Sequence, residues 1–411
     1  MSELTYVRAV IGANYGDEGK GATVDFIARQ FPNHSIDNIK SNGTAQAGHT
    51  VKSADNKFVF SHIGAASFND NVYTVIADPF YLHPLMLLAE ADRLNAIVDQ
   101  DNVYDKLIIS SYCPVVLSID VAINRAIEYK RQQNKSEHGS CGLGFFEAVN
   151  RTKNANLRYS IFTDESPNWG TLNEYFKYRC SQLGLTDRDF VDSRTDQYIT
   201  EEAFNVDKFM LDIIYHQVSV GDYWCGFEND SPFVVKLFEN AQGLLLDKDS
   251  DRFPHVTPSI TGSKYIAESL SRIADKNLDV EIIYATRPYL TKHGAGPFPE
   301  LDAYGIPELD NFEDTTNAPN QWQGSLRLAV QNFDDMMARC KADFQHVKAV
   351  RDDAKLVISL TCCDQILDTG ITAVINGKLQ KCYIDELISF FKLNGADKVI
   401  MFEAESVGHY V

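Results

Sequence analysis

Short apolar runs rich in β-branched and aromatic residues recur along the chain, and polar or glycine-containing turns separate them. Stretches with helical spacing alternate with these runs, as in the series Ile119, Ile123 and Ile127. Runs that are apolar on both faces indicate strands buried on both sides, so the pattern predicts an α/β fold with a large, mainly parallel central sheet and helices on both faces. The apolar runs that predict buried strands lie at 6–11, 72–77, 107–111, 233–238, 280–285, 356–360 and 398–402, and a further strand is predicted just before residue 41.

No repeat, low-complexity tract or linker divides the sequence, which predicts a single domain over residues 1–411 with a helical insertion at about 168–220. The formal net charge of −19 argues against nucleic acid or an anionic membrane as a partner. No apolar run approaches the ~18 residues of a membrane span, and the eight cysteines include no CxxC pair. These features predict a soluble, cytoplasmic protein with reduced thiols.

Two glycine-rich stretches, 12–21 and 41–50, each follow a predicted strand, and a predicted helix separates them. In the first stretch Gly16, Gly19 and Gly21 allow a tight turn whose N–H groups point towards one place at the start of the helix. A helix N-terminus with free amides favours an anion, so the two stretches predict one phosphate site built from two loops.

The first stretch does not satisfy the P-loop pattern GxxxxGK[ST], because Asn14 stands where that pattern requires its first glycine. Isolated glycines are equally compatible with a plain strand-to-helix turn. Asp17, Glu18 and Lys20 favour the phosphate interpretation, because acids and a base at such a turn suit metal and phosphate chemistry.

Two later segments carry further polar groups. The loop at 138–144, HGSCGLG, offers amides and the Ser140 hydroxyl to an anion, although a plain helix-terminating loop has the same composition. In the segment ENAQG at 239–243 the Gln242 amide can donate to and accept from the edge of a purine lactam. Thr257 begins a hydroxyl-rich stretch suited to a 5′-phosphate.

The sequence carries a series of short motifs, which in chain order are GDEGKG, AGHT, CP at 113–114, ENAQG, VT at 256–257 and GAGPFP at 294–299. In this series of motifs the sequence resembles adenylosuccinate synthetase. That family joins L-aspartate to C6 of a purine nucleotide and uses a nucleoside triphosphate and Mg²⁺. The resemblance implies a P-loop NTPase-like fold of the adenylosuccinate synthetase type and a homodimer with shared sites.

The resemblance also implies roles for individual residues. Asp17 would be the base and a Mg²⁺ ligand, the Gly48 carbonyl a second ligand, and His49 the group at the purine O6. Arg151 would reach a neighbouring subunit's nucleotide, or else be a solvated surface arginine. Lys20 joins Asp17 and His49 as a catalytic residue. The remaining residues are assigned by ligand: to the phosphates, Gly16, Glu18, Gly19, Gly21, Gly48 and Thr50; to the acceptor nucleotide, Asn42, Gly139, Ser140, Arg151, Gln242 and Thr257; to aspartate, Thr315, Thr316 and Arg327; and to the donor base, Asp364.

The chemistry requires such groups because an amine cannot expel the 6-oxo group of a purine as hydroxide or oxide. If the N1 proton is removed, O6 becomes an anion that can attack a γ-phosphate and turn into a leaving group. The site then needs a base near N1, a cation near O6 and neutralisation of the phosphate charge. Asp17, His49 and Lys20 are residue types that supply these functions.

Two departures from the family pattern bear on the substrates. The family's loop of two threonines, a glycine and four arginines here lacks the arginine cluster and keeps Thr315, Thr316 and Arg327. Without an arginine to read the ribose 2′-hydroxyl, a 2′-deoxynucleotide loses less on binding. Cys362 replaces the lysine that the family uses for GTP, which favours ATP or dATP as the donor.

These departures resemble the bacteriophage 2-aminoadenylosuccinate synthase branch, which adds aspartate to dGMP for diaminopurine DNA and would work in the host cytoplasm. Asp17 is absent from many members of that branch, so an ordinary adenylosuccinate synthetase acting on IMP with GTP is the alternative. A nucleotide-binding regulator without turnover is a third possibility, and the retained Asp17, Lys20, His49 and Gln242 argue against it.

Overall fold

The computed structural model of the chain describes residues 4–53, 56–98, 102–136, 138–160, 166–221, 235–273, 277–298, 308, 326–404 and 407–411. The strands in this part of the chain are β1 (Thr5–Gly12), β2 (Ile36–Lys40), β3 (His49–Ser53), β4 (Asn56–Phe60), β5 (Val72–Ile76), β6 (Leu107–Ser110), β7 (Ser219–Gly221), β8 (Val235–Glu239), β9 (Leu278–Thr286), β10 (Leu290–Lys292), β11 (Arg327–Ala329), β12 (Gln331–Asn332), β13 (Lys355–Leu360), β14 (Ile371–Ile375), β15 (Lys378–Cys382), β16 (Lys398–Ala404) and β17 (Val407–Tyr410). The α-helices are α1 (Lys20–Arg29), α2 (Pro84–Asn95), α3 (Ser118–Gln133), α4 (Phe145–Val149), α5 (Trp169–Leu183), α6 (Asp187–Asp192), α7 (Glu201–Gln217), α8 (Lys264–Ser271), α9 (Phe333–Lys348) and α10 (Ile384–Leu393).

Among the described residues one sheet has ten strands, in the order β17-β16-β13-β9-β1-β8-β2-β5-β6-β7. Each neighbouring pair is parallel except β16 and β17, which are antiparallel at one edge. All seven strands predicted from the apolar runs belong to this sheet. The prediction of a large, mainly parallel sheet is therefore confirmed.

Both faces of the sheet are covered, because neighbouring side chains of the buried strands point to opposite sides. In β1, Val7 and Ala9 belong to the core beneath α8, α9 and α10, whereas Val10 belongs to the core beneath α1, α2 and α7. The strands are thus apolar on both faces, as the sequence pattern predicted. Of the helices in the described residues, none is long and apolar enough to span a membrane.

The segment 168–220, for which a helical insertion was predicted, contains α5, α6 and α7. That it is an insertion stays a prediction. These helices begin with good capping residues: the side chains of Asn168 and Thr200 accept hydrogen bonds from backbone N–H groups in the first turns of α5 and α7. The segment then returns to the sheet, since β7 pairs with β6 at the edge. The extent of the domain over residues 1–411 stays a prediction.

The parallel strands place several polar turns at one edge of the sheet. β1 ends at Gly12, β2 at Lys40 and β8 at Glu239, and the register aligns Glu239 with both Val10 of β1 and Lys40 of β2. The carboxyl ends of parallel strands are where open α/β sheets bind ligands. The two glycine-rich stretches and the ENAQG segment therefore begin side by side.

Candidate functional site

A cavity of about 680 Å³ lies at this edge of the sheet. Its volume is in the range of pockets that bind nucleotides and other small molecules. The predicted site residues that line it are Gly16, Asp17, Lys20, Gly48, His49, Thr50, Gly139, Ser140, Gln242 and Thr257. Residues from the two glycine-rich stretches, the loop at 138–144, the ENAQG segment and the hydroxyl-rich stretch at Thr257 thus share one cavity.

The turn after β1 packs tightly against the turn after β8. A Cβ atom on Gly243 would lie 2.3 Å from the carbonyl oxygen of Asn14, and one on Gly12 would lie 2.4 Å from that of Gln242. Gln242 itself has a positive φ of 64°, a conformation that costs energy for a residue with a side chain. Glycine is therefore required at both contacts, and the close packing fixes where Gln242 enters the cavity.

Glu18 does not line the cavity but is buried beneath the first turn. Its carboxylate accepts hydrogen bonds from the backbone N–H and side-chain amide of Asn14, at 2.9 and 2.8 Å, and from the backbone N–H of Gly16 at 3.2 Å. Burial raises the pKa of Glu18 to about 7, against the opposing effects of Lys20 and these donors. Glu18 thus holds the turn in shape from inside.

Lys20 is the first residue of α1 and is 3% exposed. Burial lowers the pKa of its ammonium group, while the carboxylates of Glu18 and Asp17 act to raise it. A buried lysine at a helix N-terminus concentrates positive charge where the helix dipole is also positive. This position suits a phosphate group.

Glu239, for which the sequence patterns predicted no role, organises the opposite wall through four contacts. One carboxylate oxygen receives Lys40 at 2.6 Å and the Nδ1 of His49, and the other accepts from the Asn38 amide and the Ala65 backbone N–H, each at 2.9 Å. Burial alone would raise the pKa of Glu239, but Lys40 and His49 hold it well below its usual range. The carboxylate is ionised and fully paired.

His49 is 5% exposed and lines the cavity. Burial lowers its pKa to about 4, so the ring is neutral near pH 7 in the free protein. Because ionised Glu239 accepts from Nδ1, the proton of the neutral ring lies on Nδ1 and Nε2 is left for a ligand. The sequence places His49 at the purine O6, and donation of a proton there near neutral pH requires a bound anion that raises the pKa of the ring again.

Asp17 lies at the cavity wall with a positive φ of 53°. One of its carboxylate oxygens is 3.5 Å from the Nε2 of His293, which also lines the cavity. His293 is not among the residues predicted from the sequence, although it directly precedes the GAGPFP segment. The one feature of the sequence that points to His293 is its position next to this motif.

The loop at 138–144 forms another wall, but three of its backbone amides already have a partner within the chain. The carboxylate of Glu128, in α3, accepts from the backbone N–H groups of His138, Gly139 and Ser140 at 3.4, 3.1 and 3.1 Å. The Ser140 hydroxyl donates to the Asn124 side chain at 3.0 Å. The expectation that these amides are free for an anion is therefore corrected: a buried carboxylate binds them in the structure.

The expectation for Arg151 was also wrong. Its side chain is fully buried, with its guanidinium group against the Asp120 carboxylate at 2.8 Å and the backbone carbonyls of Val115 and Leu157 at 2.6 and 2.7 Å. All three guanidinium nitrogens are engaged within the chain. Arg151 thus stabilises the interior and is neither a surface residue nor available to a neighbouring subunit.

Asn42 is another correction, because it joins two loops and does not line the cavity. Its side chain accepts from the Ala241 backbone N–H at 2.7 Å and donates to the Ala241 carbonyl at 3.2 Å and to the Ser259 hydroxyl at 3.3 Å. Thr257 does line the cavity, and its hydroxyl accepts from the Gln46 amide at 3.1 Å.

The remaining predicted residues do not line the cavity or fall outside the described part of the chain. Thr315 and Thr316 fall outside the described residues. Arg327 donates to the carbonyls of Gly294 and Gly296 at 2.8 and 3.2 Å. Asp364 is exposed in the turn after β13.

The turn after β13 is nevertheless connected to the phosphate turn. The Thr361 hydroxyl donates to the carbonyl of Glu18 at 3.1 Å, and a Cβ atom on Gly19 would lie within 2.7 Å of the Thr361 side chain. Gly19 and Gly21 therefore shape the turn without lining the cavity. Within the described residues no group of three or more His, Cys, Asp and Glu side chains is arranged to hold a metal ion.

Comparisons with known proteins agree with the motif pattern. A family model described as adenylosuccinate synthetase matches residues 9–309. The adenylosuccinate synthetase of Edwardsiella ictaluri is 30% identical over 291 residues, which cover 71% of this chain and 63% of that protein. That of Leuconostoc citreum is 26% identical over 301 residues, which cover 71% and 64%. The chain thus spans less than two thirds of the length of these curated relatives.

Two solved structures share the fold. A fully ligated adenylosuccinate synthetase from Plasmodium falciparum superposes with a TM-score of 0.64 at 21% identity, covering 92% of this chain and 84% of that one. The succinoaminodeoxyadenylate synthetase of cyanophage S-2L, bound to dGMP and dATP, gives 0.60 at 11% identity, covering 99% and 96%. At these identities the likeness is one of fold.

Proposed function

Because the chain belongs to the adenylosuccinate synthetase family, we propose that it is a C–N ligase that joins L-aspartate to C6 of a purine nucleotide with hydrolysis of a nucleoside triphosphate. The observation that carries this proposal is the convergence of Asp17, Lys20, His49 and Gln242 on one cavity. These are the groups that the chemistry of a 6-oxo purine requires.

Each group has a step that suits its surroundings. The Asp17 carboxylate takes the proton from N1, and O6 then attacks the γ-phosphorus of the donor, whose β–γ bond breaks as the O6–phosphorus bond forms. Buried Lys20 holds the phosphates at the start of α1. The amine of aspartate then adds to C6, and the phosphate group leaves with O6.

His49 serves the oxygen side of this reaction. Its ring orientation is fixed by Glu239, so Nε2 is available to O6 and the transferring phosphate group. Both are anionic in the transition state, and their charge raises the low pKa that burial gives the imidazole. A proton is thus drawn onto Nε2 when the charge on O6 develops, where it stabilises the oxygen.

The residues present suit Mg²⁺. The Asp17 carboxylate and the Gly48 carbonyl would hold it, and both line the cavity. Mg²⁺ prefers oxygen ligands and usually keeps water and substrate phosphates in its shell, so a set of one carboxylate and one carbonyl is adequate. When bound, the ion neutralises charge on the donor phosphates.

We propose dGMP as the acceptor. Gln242 enters the cavity beside Gly16, and Asp17 can accept from both the N1–H and the 2-amino group of guanine. The shared fold is compatible with such a ligand, since the cyanophage protein binds dGMP and dATP. IMP is the alternative, because the relatives that are 30% identical are adenylosuccinate synthetases.

The acceptor is tested by kcat/KM for dGMP, GMP, IMP and dIMP, each with L-aspartate, Mg²⁺ and ATP. We expect dGMP to be the best substrate. A site that satisfies the 2-amino donor leaves an acceptor unpaired with hypoxanthine, which costs roughly 1–3 kcal/mol, or about ten- to a hundredfold. If IMP is the best of the four, the protein is an ordinary adenylosuccinate synthetase.

We further propose ATP or dATP as the donor, with Asp364 near its base. Cys362, in a left-handed conformation with a φ of 56°, stands in the turn that packs on the phosphate turn and carries no cation for a guanine base. We therefore expect ATP and dATP to support turnover at least as well as GTP in steady-state assays. Cys362→Lys should shift the preference towards GTP, with Cys362→Ser as the matched control. A strong preference of the wild-type protein for GTP would contradict this assignment.

A further inference from the structure

Three cationic side chains surround a pair of aromatic rings beside the cavity. Arg252 and Lys292 lie over the Tyr15 ring, with the guanidinium carbon and the ammonium nitrogen 5.6 and 5.7 Å from its centroid. Arg327 lies 5.0 Å from the centroid of Phe298, and the two rings are 5.7 Å apart. We call Arg252, Lys292 and Arg327 the cation cluster.

The charges of the cation cluster are not neutralised by the described residues. Arg327 and Lys292 donate to backbone carbonyls in the segment 293–296, and Arg252 donates to the Tyr15 hydroxyl at 3.0 Å. No ion pair joins any of the three to a carboxylate in this part of the chain. In a protein with a net charge of −19, such a concentration of unpaired positive charge indicates a place for an anion.

The electrostatics of Lys292 agree with this interpretation. Lys292 is 4% exposed, and burial together with the neighbouring Arg327 and Arg252 lowers the pKa of its ammonium group to about 8. The positive charges of Arg327 and Arg252 thus make protonation of Lys292 less favourable. An anion bound among them would relieve both the burial cost and the mutual repulsion.

The cation cluster lies directly next to the proposed base. Lys292 and Tyr15 line the cavity. The hydroxyl of Thr291 donates to the carbonyl of Gly16 at 3.3 Å, and His293 lies 3.5 Å from the Asp17 carboxylate. The residues on either side of Lys292 therefore touch the turn that carries the proposed chemistry.

We propose that Arg252 and Lys292 act with Arg327 to bind the two carboxylates of L-aspartate, an inference that rests on the proposed ligase function. A dicarboxylate carries two negative charges and needs more than one cation, and Arg327 alone cannot pair with both groups. The cation cluster then takes the place of the arginine-rich loop that this sequence lacks. Lys292 directly precedes His293, which lies 3.5 Å from the Asp17 carboxylate, so an aspartate bound at the cation cluster would have its amine on the side of the purine.

The test uses Arg252→Gln and Lys292→Gln, with Lys248→Gln as the matched control. Lys248 lies in the same turn region as Arg252, but its side chain is 38% exposed and pairs with Asp249. For the wild-type protein and each variant we would measure steady-state KM for L-aspartate and for dGMP or IMP. Equilibrium dialysis would give the affinity for labelled L-aspartate and succinate in the presence of nucleotide, Mg²⁺ and a non-hydrolysable triphosphate. L-asparagine, in which an amide replaces the side-chain carboxylate, serves as the probe with a single carboxylate.

We expect both cluster variants to keep the wild-type melting temperature to within a few degrees and to lose affinity for L-aspartate and succinate by about tenfold or more. KM for the nucleotide and the behaviour of Lys248→Gln should not change. If the wild-type protein binds neither dicarboxylate, or if well-folded variants keep their aspartate affinity, the inference is wrong.

A rise in nucleotide KM without a change for aspartate would assign the cation cluster to a phosphate and also overturn the inference. Failure of the ligase proposal has a different signature. The wild-type protein would then turn over no purine nucleotide, whereas dicarboxylate binding that is lost in the two variants would still support the cation cluster as a dicarboxylate site.

Discussion

Replacing Asp17 by asparagine is expected to lower kcat by about 10²–10⁴-fold on the preferred nucleotide, because the general base is lost. The expected effect on folding is small. Asp17 lies at the cavity wall with 25% of its side chain exposed, and among the described residues its ion-pair partner is His293 at 3.5 Å. The turn keeps its shape through Glu18, which is buried and binds Asn14 and Gly16. Asparagine also has the best prospect of tolerating the positive φ.

Single-turnover kinetics, with circular dichroism and thermal melting as checks on folding, would measure this effect. Asp353→Asn is a suitable control, since its side chain is 59% exposed and pairs with Arg351 on the surface. Asp17→Ala removes both the carboxylate and the volume of the side chain, so this variant should lose at least as much activity. A folded Asp17→Asn protein with near-normal turnover would show that another group is the base.

The main parts of this site could be predicted because they depend on local sequence. A glycine-rich turn, a strand before it and a helix after it are encoded within some twenty residues, so β1, α1 and the turn between them follow from spacing alone. The convergence of Asp17 and Gln242 was also predictable, because parallel strands bring their carboxyl ends to the same edge.

The wrong or missing assignments involve charged partners that are distant in sequence. Arg151 meets Asp120, 31 residues away, and nothing in the sequence distinguishes a buried arginine from an exposed one before that pairing is known. The occupation of the Gly139 and Ser140 amides by Glu128 depends on how α3 ends and how the loop folds back over it. Sequence patterns report which residues can bind an anion, and only tertiary packing decides which anion is already there.

Glu239 illustrates the same limit most clearly, since it lies 190 and 199 residues from His49 and Lys40. Its importance follows only from strand order, which places β8 next to β2 and brings Lys40 into register with Glu239. The carboxylate neutralises a lysine that is 1% exposed and orients the imidazole that faces the cavity. The network therefore belongs both to the core and to the site.

Replacing Glu239 by glutamine is expected to lower the free energy of unfolding by roughly 3–5 kcal/mol, because Lys40 would be left as a buried cation without its counter-ion. The loss should depend on pH. Burial alone would raise the pKa of Glu239, but Lys40 and His49 hold it below the ordinary value of 4.5. The ionised carboxylate therefore contributes stability above about pH 4.5, and the contribution is lost as the pH falls through the lower pKa of the folded state.

Urea unfolding of both proteins between pH 3 and 8 would measure this difference, which we expect to be full at neutral pH and to shrink in acid. Asp37→Asn provides a matched control. Asp37 is buried on β2, the strand that also carries Lys40, and it pairs with Lys236 but does not touch His49. Both variants should lose stability, whereas only Glu239→Gln should also lower kcat, since it releases the imidazole. Equal losses of activity in the two variants would mean that the Glu239 network acts on the fold alone, and the assignment of His49 to the purine oxygen would then lose its structural support.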